Sequence, residues 1–265
     1  MEGDLLKLYF KYIALLLKAH LQYKASFIMT AVAHFFAPFT LLAGIYFLFE
    51  RFGNIQGWTL YEVLMCFAVV GACFAISTCF ARGFDVFDSM IRTASFDRIL
   101  VRPRGTVLQV LGSGFDLKRI GHFLQNIIVL VIAIALADIS WDIARVVMLI
   151  NMIVGGSIIF SGVYMLQAAA AFWTIEALEV ANIFTHGIKE HASYPLNIFP
   201  RWITVIFTFI IPFGTINYLP LQYLLGKIDG IGWLYAFLPL LGALFILPCI
   251  LAWNIGVKRY SSAGS

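Results

Sequence analysis

Charged residues are scarce in this 265-residue chain: Asp, Glu, Lys and Arg make up 12% of it, against about 25% in a typical soluble protein. Hydrophobic residues make up 62%. A water-soluble core could not enclose that much apolar surface, whereas lipid can contact it directly. The composition excludes an ordinary soluble domain. It predicts an all-α membrane protein, because backbone groups in lipid must pair within the segment, as they do in helices.

Several chemical motifs are also missing. The chain has no Gly-x-x-x-x-Gly-Lys-Ser/Thr phosphate loop, since Gly226 and Lys227 are followed by Ile228 and lack the upstream glycine. It has no Gly-x-Ser-x-Gly and no His-Glu-x-x-His motif. The net charge of +4 does not indicate nucleic-acid binding, because the position of basic residues relative to the apolar runs decides their meaning here. These absences turn attention to the apolar runs.

Six apolar runs are long enough to be transmembrane helices. They cover residues 26–49, 60–80, 118–137, 146–173, 202–219 and 231–254. The third helix is expected to begin near Lys118, because its apolar run alone is short for a bilayer. Pro212 interrupts the fifth run, which predicts a kinked helix followed by a partly inserted segment. The six spans form one domain, residues 26–265.

Residues 1–25 predict a separate amphipathic elbow helix. Polar side chains fall on one face of a helical wheel, and most of the other positions are apolar. The polar set is Asp4, Lys7, Lys11, Lys18 and Gln22. Such a helix lies in the membrane interface with its lysines toward anionic headgroups. A lysine every turn or two argues against a transmembrane helix.

Basic residues are divided very unevenly between the two sides of the predicted spans. Fifteen of the eighteen Lys and Arg residues fall on the side of the N-terminus, leaving Arg51, Arg145 and Lys227 on the other. Short cytoplasmic loops carry an excess of Lys and Arg. The count therefore predicts that the N-terminus and the C-terminus are both cytoplasmic.

The predicted cytoplasmic loop 81–121 holds most of the polar chemistry. Its first part alternates apolar and charged residues as an amphipathic helix does, with Asp88 and Arg92 as an i,i+4 pair. Ser95 is the predicted N-cap of a short helix over 96–101, which must end before Pro103.

The apolar residues of this short helix are Phe96, Ile99 and Leu100, and its basic residues are Arg98, Arg102 and Arg104. Exposed, such a set suits a protein pocket, with apolar anchors and a polar rim. The apolar residues could equally fold back onto the underside of the bundle. The residues alone leave both possibilities open.

A second predicted inner loop, residues 176–201, is rich in titratable side chains. They include Glu176, Glu179, His186, Glu190 and His191, and Tyr194 and Pro195 follow. His186 and Glu190 are spaced i,i+4, as a metal or acid–base pair would be. No third ligand follows at a useful spacing, which favours a second cytoplasmic contact surface. The alternative is an intramembrane enzyme, a protease or lipid transferase, that uses Glu176, Glu179, His186 and His191.

Polar and small residues within the spans are candidates for helix packing or for a substrate pathway. Asn151, Gly155 and Gly162 share a face of the fourth span, which predicts a close helix–helix contact. His34 in the first span could line a pathway or hydrogen-bond to a neighbouring helix. An ion-coupled carrier would need buried carboxylates, which the spans essentially lack, and no inverted repeat is found.

Seven segments together resemble the ABC type-2 exporter permeases, and in particular the viologen-exporter-like branch. The segments are Phe96–Pro103, Leu108–Gly112, Phe115–Gly121, Phe172–Glu179, Tyr194–Leu196, Ile211–Phe213 and Asn217–Pro220. The first has the sequence Phe-Asp-Arg-Ile-Leu-Val-Arg-Pro, a leucine-containing turn followed by proline. The likeness covers nearly the whole chain and is specific as a set.

The resemblance implies a non-enzymatic permease that needs no cofactor of its own. Two copies of a separate ATPase subunit would hold ATP and Mg, and a second permease subunit, homologous or identical, would complete the pathway. Membrane lipids, and no nucleic acid, are the other expected partners, in a bacterial plasma (inner) membrane. The resemblance also implies a coupling helix that sits in the ATPase groove. Its residues here are Ser95, Phe96, Asp97, Arg98, Ile99, Leu100, Arg102, Pro103 and Arg104.

Overall fold

The computed structural model describes residues 2–137, 139–173, 185 and 187–261, with the backbone only for residues 2–8 and 10. These residues are helical apart from turns and a single β-bridge between Ile55 and Trp58, which confirms the predicted all-α class. The helices of the first half are α1 (Glu2–Gln22), α2 (Lys24–Phe36), α3 (Phe39–Phe52), α4 (Leu60–Phe80), α5 (Arg82–Asp85), α6 (Phe87–Arg92), α7 (Asp97–Leu100) and α8 (Thr106–Ser113). Those of the second half are α9 (Ile120–Leu136), α10 (Ile143–Ala170), α11 (187–192), α12 (Arg201–Val205), α13 (Leu219–Leu224), α14 (Gly232–Ala243) and α15 (Ile246–Arg259).

Shorter helical forms complete these elements. Two π-helical segments, Ile206–Ile210 and Gly214–Tyr218, follow α12 and precede α13. Two 3-10 turns, Leu117–Arg119 and Leu196–Ile198, precede α9 and α12. The third span therefore begins at Leu117, as predicted.

Five helical stretches are long and apolar enough to cross a membrane, so the protein is a multi-pass membrane protein. They are Lys24–Phe52, Leu60–Phe80, Leu117–Leu136, Ile143–Ala170 and Gly232–Arg259. Five of the six predicted runs are thus confirmed. A sixth span would require the sharply bent segment 201–224 to count as one crossing.

The centre of the bundle is α4, whose residues from Val63 to Thr78 are almost all buried. Small residues let its neighbours approach closely. A Cβ atom on Gly71 would lie 1.9 Å from Asn126 Oδ1 of α9, so no larger residue fits at this crossing. Close contact through small residues is how helices associate in lipid, where burial of apolar surface gives no driving force. By contrast, only 17% of the most apolar part of the first span is buried.

The two ends of α4 define two ends of the bundle, about 31 Å apart for a 21-residue helix. We call them the 53–59 end and the 81–121 end, after the loops that lie there. Helix α1 lies at the 81–121 end, where the Tyr9 hydroxyl donates to the Phe80 carbonyl at 3.5 Å. Burial raises the pKa of Tyr9 to about 12, so this hydroxyl keeps its proton. The last turns of α15 lie at the same end, because Trp253 packs 5.1 Å from Phe84.

Thr185 lies at one end of the bundle, and residues 194–199 lie at the other. At the 81–121 end, Thr185 hydrogen-bonds to Gln167 near the last turn of α10, at 2.8 Å. At the 53–59 end, Asn197 Oδ1 accepts from Trp58 Nε1 at 3.0 Å. The predicted inner loop 176–201 is therefore wrong for its last residues, which lie at the opposite end from loop 81–121.

The following segment, residues 201–224, is a hairpin that enters the bundle and turns back. Its two arms meet at 96° on either side of Pro212. Proline lacks a backbone N–H and cannot continue the preceding helix, which explains the break. The apex lies inside the bundle, where the Phe213 ring is 4.7 Å from Phe160 of α10.

Both arms of this re-entrant hairpin end at the 53–59 end. The first arm follows directly on the segment that contains Asn197. The second leads to Lys227, whose ammonium group donates to Gly57 O at 2.6 Å and pairs with Glu62 at 3.0 Å. The predicted fifth span, 202–219, is therefore wrong, because a segment that returns to its starting end does not cross.

This path changes the predicted positions of two basic residues, which were counted on the side of the N-terminus. Arg201 follows the segment at the 53–59 end, and Lys189 lies inside the bundle rather than in an inner loop. Loop 81–121 alone still carries seven Lys and Arg residues. The prediction that this end is cytoplasmic keeps its basis in the positive-inside rule.

Candidate functional site

A short projection at the 81–121 end, which we call the tip (residues 97–105), is the most prominent candidate site. It begins with the single turn of α7 and ends its helix before Pro103, as predicted. Val101 is 83% exposed, and Leu100 next to it is also exposed. Large apolar side chains presented to water in this way mark contact surfaces when charged residues flank them.

The basic residues of the tip supply that charge. Arg98, Arg102 and Arg104 are all exposed. The ion pairs among the described residues include the predicted Asp88–Arg92 pair, at 3.9 Å, but none of the three tip arginines. The tip is therefore a positively charged surface that favours an acidic partner.

Phe96 forms the root of the tip and is completely buried. Its ring packs among four others that belong to different parts of the chain. The ring centroids are 5.0 Å away for Phe87, 5.2 Å for Tyr260, 5.6 Å for Phe172 and 6.1 Å for Trp253. Such ring pairs each contribute about 0.5–1.5 kcal/mol beyond burial. Phe96 thus ties the tip to α6, to the end of α10 and to α15.

The sequence left open whether the apolar residues of the short helix are exposed or fold back onto the bundle. Each alternative holds for different residues. Phe96 and Ile99 pack back onto the bundle, whereas Leu100 and Val101 project from it. Residues three apart share a face of a helix, so the first pair defines the buried face. Val101 was missed as a site residue. The i,i+3 spacing of Phe96 and Ile99 could have revealed it, because their shared face excludes Val101.

Helix α8, which the sequence analysis did not predict, holds the tip in place. Gln109 Nε2 donates to Ile99 O at 3.2 Å and to Arg104 O at 2.9 Å, near the two ends of the projection. At the start of α8, Thr106 Oγ1 accepts from Trp253 Nε1 at 3.0 Å. The tip is therefore a fixed projection with hydrogen bonds at its base.

Ser95 does not cap α7, so that prediction is wrong. The helix begins at Asp97 and has no side-chain cap. The Ser95 hydroxyl instead donates back to Met90 O at 3.3 Å. This contact closes a tight turn between α6 and α7 in which Ala94 adopts a left-handed φ of 51°, a conformation that residues other than glycine rarely adopt.

The predicted second contact surface is split by the structure. Glu176, Glu179 and His186 lie outside the described residues. Tyr194 and Pro195 approach the 53–59 end, and Tyr194 shares a cavity of about 610 Å³ with residues 52–56. These two residues lie far from the tip, because α4 separates the two ends, so they do not form a surface with it.

Glu190 and His191 lie on α11, between the two ends. The His191 ring is 2.7 Å from Gly187 O through Nδ1 and stacks at 17° on Phe207 of the re-entrant hairpin. Among the described residues, no three His, Cys, Asp or Glu side chains are placed to hold a metal ion. No observation here favours the enzymatic alternative.

Lys189 is a buried cation that the sequence analysis placed in a loop. It is 7% exposed, its ammonium group lies 3.3 Å from Glu190 Oε1, and it sits 5.4 Å from the centre of the Phe74 ring. A cation inside a membrane bundle requires such partners. Its burial depends on contacts with distant residues such as Phe74, and no local pattern in this titratable segment distinguishes Lys189 from a loop lysine.

The predicted packing face of the fourth span is confirmed. Asn151 Nδ2 donates to Ala236 O of α14 at 2.8 Å. A Cβ atom on Gly155 would lie 2.5 Å from Pro239 O, and one on Gly162 would lie 3.1 Å from a cysteine sulfur of α15. These residues let α10 pack closely against α14 and α15. His34 is half-buried in α2.

The chain is a multi-span membrane protein. The tip is a basic projection fixed at the 81–121 end of the bundle, where the first and last described helices also lie. The family model of the ABC-2 family transporter proteins matches residues 15–264. The chain therefore belongs to the ABC-2 transporter family, whose members are membrane permeases of ABC transporters and imply an ATPase partner. No curated protein and no solved structure matches the chain significantly.

Proposed function

We propose that this chain is the permease subunit of an ABC exporter and that a separate ATPase subunit receives the tip in a surface groove. The observation that carries this proposal is the contrast between completely buried Phe96 and 83% exposed Val101, which lie five residues apart in the sequence. A partner can displace a projection whose outer residues are exposed. Because the inner end of this projection is packed, the displacement is transmitted to the bundle.

The composition of the tip fits a protein groove. Leu100 and Val101 supply apolar area for burial, and arginines next to them supply a charged rim. Interfaces commonly take this form, with apolar anchors at the centre and charges at the edge. The proposed ATPase surface is accordingly an apolar pocket with acidic residues around it.

The aromatic cluster around Phe96 would transmit this displacement. Its members belong to α6, to the end of α10 and to α15, so displacement of the tip moves three elements together. Closely packed interiors transmit such displacement because they have little free volume. Closure of two ATPase subunits on ATP and Mg would bring two tips together and shift the bundle between two access states.

The remaining parts of the proposal rest on the family and on the charge distribution. A second permease subunit, homologous or identical, would complete the pathway. We propose the viologen-exporter-like branch, a bacterial plasma membrane and cytoplasmic termini on the resemblance and the charge distribution. Helix α1 would lie in the interface at the cytoplasmic face.

The test is ATP-driven transport by the assembled complex with tip variants. Arg98→Glu and Val101→Asp should each abolish stimulation of transport by ATP, because they place a negative charge where an acidic groove must bind. The matched control is Ile231→Asp, which changes an equally exposed apolar residue, 71% exposed, at the 53–59 end. Full ATP-driven transport by both tip variants would contradict the proposal.

A further inference from the structure

A cavity of about 280 Å³ lies on the side of the bundle, between the first span, α4 and α9. Its floor includes Leu64 of α4, and its rim includes Phe39 and Tyr46 of α3 and Ile128 and Ile132 of α9. Every lining residue is hydrophobic except one, Gln125 of α9. The cavity is separate from the tip and from the re-entrant hairpin.

Gln125 is 1% exposed, and neither its amide nitrogen nor its amide oxygen has a hydrogen-bond partner in the part of the chain that the structure describes. The neighbouring Asn126 differs, because its amide nitrogen donates to the His122 carbonyl at 2.8 Å. An amide kept away from water without partners is costly in apolar surroundings. A molecule that supplies both a donor and an acceptor to Gln125 would recover that cost.

The depth of Gln125 limits the charge of such a molecule. Its neighbour Asn126 packs against Gly71, eleven residues into α4 and therefore about 16 Å along a helix of about 31 Å. The amide thus lies near the middle of the hydrocarbon layer. A charged group at that depth is expensive, so the molecule is uncharged.

The cavity opens toward lipid rather than toward water. The four rim residues, Phe39, Tyr46, Ile128 and Ile132, are all exposed on the surface of the chain. The first span that forms one wall is the least buried span of the described bundle. A molecule dissolved in the membrane can therefore enter from the side without crossing the polar ends.

We propose that this cavity binds an uncharged, membrane-dissolved molecule that carries an amide or hydroxyl group, and that Gln125 recognises that group. The Gln125 side chain turns toward the molecule, so that Gln125 Nε2 donates to its carbonyl or hydroxyl oxygen and Gln125 Oε1 accepts from its N–H or O–H. The apolar lining contacts the rest of the molecule. The site is complete within this chain, so the proposal does not depend on the ATPase partner.

The experiment uses the full chain in phosphatidylcholine nanodiscs and a dodecanamide probe with a diazirine in its tail. Illumination should label peptides from α3 and α9 saturably. Unlabelled dodecanamide and dodecanol should compete at concentrations about tenfold lower than dodecane, the difference that one intramembrane hydrogen-bonded pair provides. Dodecyltrimethylammonium, which is charged, should compete poorly.

Gln125→Leu should remove the tenfold preference for dodecanamide over dodecane while keeping the apolar labelling. Gln222→Leu, which removes an amide from α13, is the matched control and should keep the preference. Ile128→Trp fills the cavity from its rim and should reduce labelling of the peptides from α3 and α9. This variant tests the site even where Gln125→Leu lowers the yield of folded protein.

Three results would overturn the proposal. Labelling spread evenly over all lipid-facing helices would show that the cavity is not a site. Equal competition by dodecane and dodecanamide in the unmodified chain would show that no polar group is recognised. A preference that survives Gln125→Leu would show that Gln125 does not recognise it.

Discussion

The two ends of the bundle are held together by different kinds of contact. At the 81–121 end, aromatic rings from α6, α15 and the segment after α10 pack around Phe96, and Phe84 of α5 packs on Trp253 of α15. At the 53–59 end, polar and directional contacts also join separate segments of the chain. Lys227 joins the re-entrant hairpin to Glu62, to Gly57 and to the Trp58 ring at 4.7 Å, and Trp58 joins Asn197.

This difference matters for how each end can move. Aromatic packing gains from many small contacts and resists the separation of any one member. Polar contacts such as those of Lys227 can break one at a time and be replaced by water. The 81–121 end is therefore suited to move as a unit with the tip, and the 53–59 end is suited to open and close.

The largest expected effect comes from Phe96→Ala. Removing a fully buried ring should destabilise the protein by about 3–5 kcal/mol, because the cluster loses both apolar contact and volume. Thermal unfolding in nanodiscs measures the change. Phe52→Ala at the other end, where the ring is exposed, is the control and should change stability little. Equal melting temperatures for the two variants would contradict the claim that the ring cluster around Phe96 stabilises this end of the bundle.

A smaller effect is expected from Lys227→Met at the 53–59 end. The variant loses the ion pair with Glu62 and the hydrogen bond to Gly57, a loss of about 2 kcal/mol for partners of a charged group. Distances between spin labels at positions 55 and 225 should broaden toward longer values. Lys258→Met, in the last turn of α15, is the control. An unchanged distribution would show that Lys227 does not hold this end closed.

Trp58→Phe should have a still smaller effect. The smaller phenyl ring gives up part of the buried contact of the Trp58 indole, and the hydrogen bond from Nε1 to Asn197 is lost, which costs about 1 kcal/mol. Hydrogen exchange of residues 194–199 should accelerate, because this contact fixes the segment to loop 53–59. Trp233→Phe, at an exposed position of α14, is the matched control. Equal exchange rates in both variants would argue against the contact.

The sequence predicted most of the fold because lipid imposes strong rules. Apolar length placed five spans within a few residues, and the start of the third at Leu117 followed from the minimum length of a crossing. The fifth span failed for a physical reason: the run 202–219 has the composition of a span, and apolar content alone does not distinguish a crossing helix from a hairpin that returns at Pro212.

The candidate site was predicted in part. The Pro103 stop and the exposed arginines followed from local rules, and the structure agrees with both. The burial of Phe96 depends on rings that lie up to 164 residues away along the chain, at Tyr260, so no local pattern could show it. The same holds for Asn197 and Trp58, whose contact joins segments 139 residues apart.

The tip itself should contribute least to stability. Val101→Asp should change the free energy of unfolding by less than about 0.5 kcal/mol, because the side chain contacts mainly solvent. Melting temperature measures this, with Phe96→Ala as the contrasting variant. A large loss of stability would mean that Val101 packs within the protein, and the tip could not then be free to meet a partner.

The most direct measurement replaces Val101 with a photo-crosslinking amino acid in the assembled membrane complex. Illumination should join this chain to an ATP-hydrolysing subunit, in a yield that changes when ATP is added, whereas the same amino acid at Ile231 should give no such product. If position 101 crosslinks only to lipid, or to no ATPase under any nucleotide condition, the proposed transfer of force through the tip is contradicted.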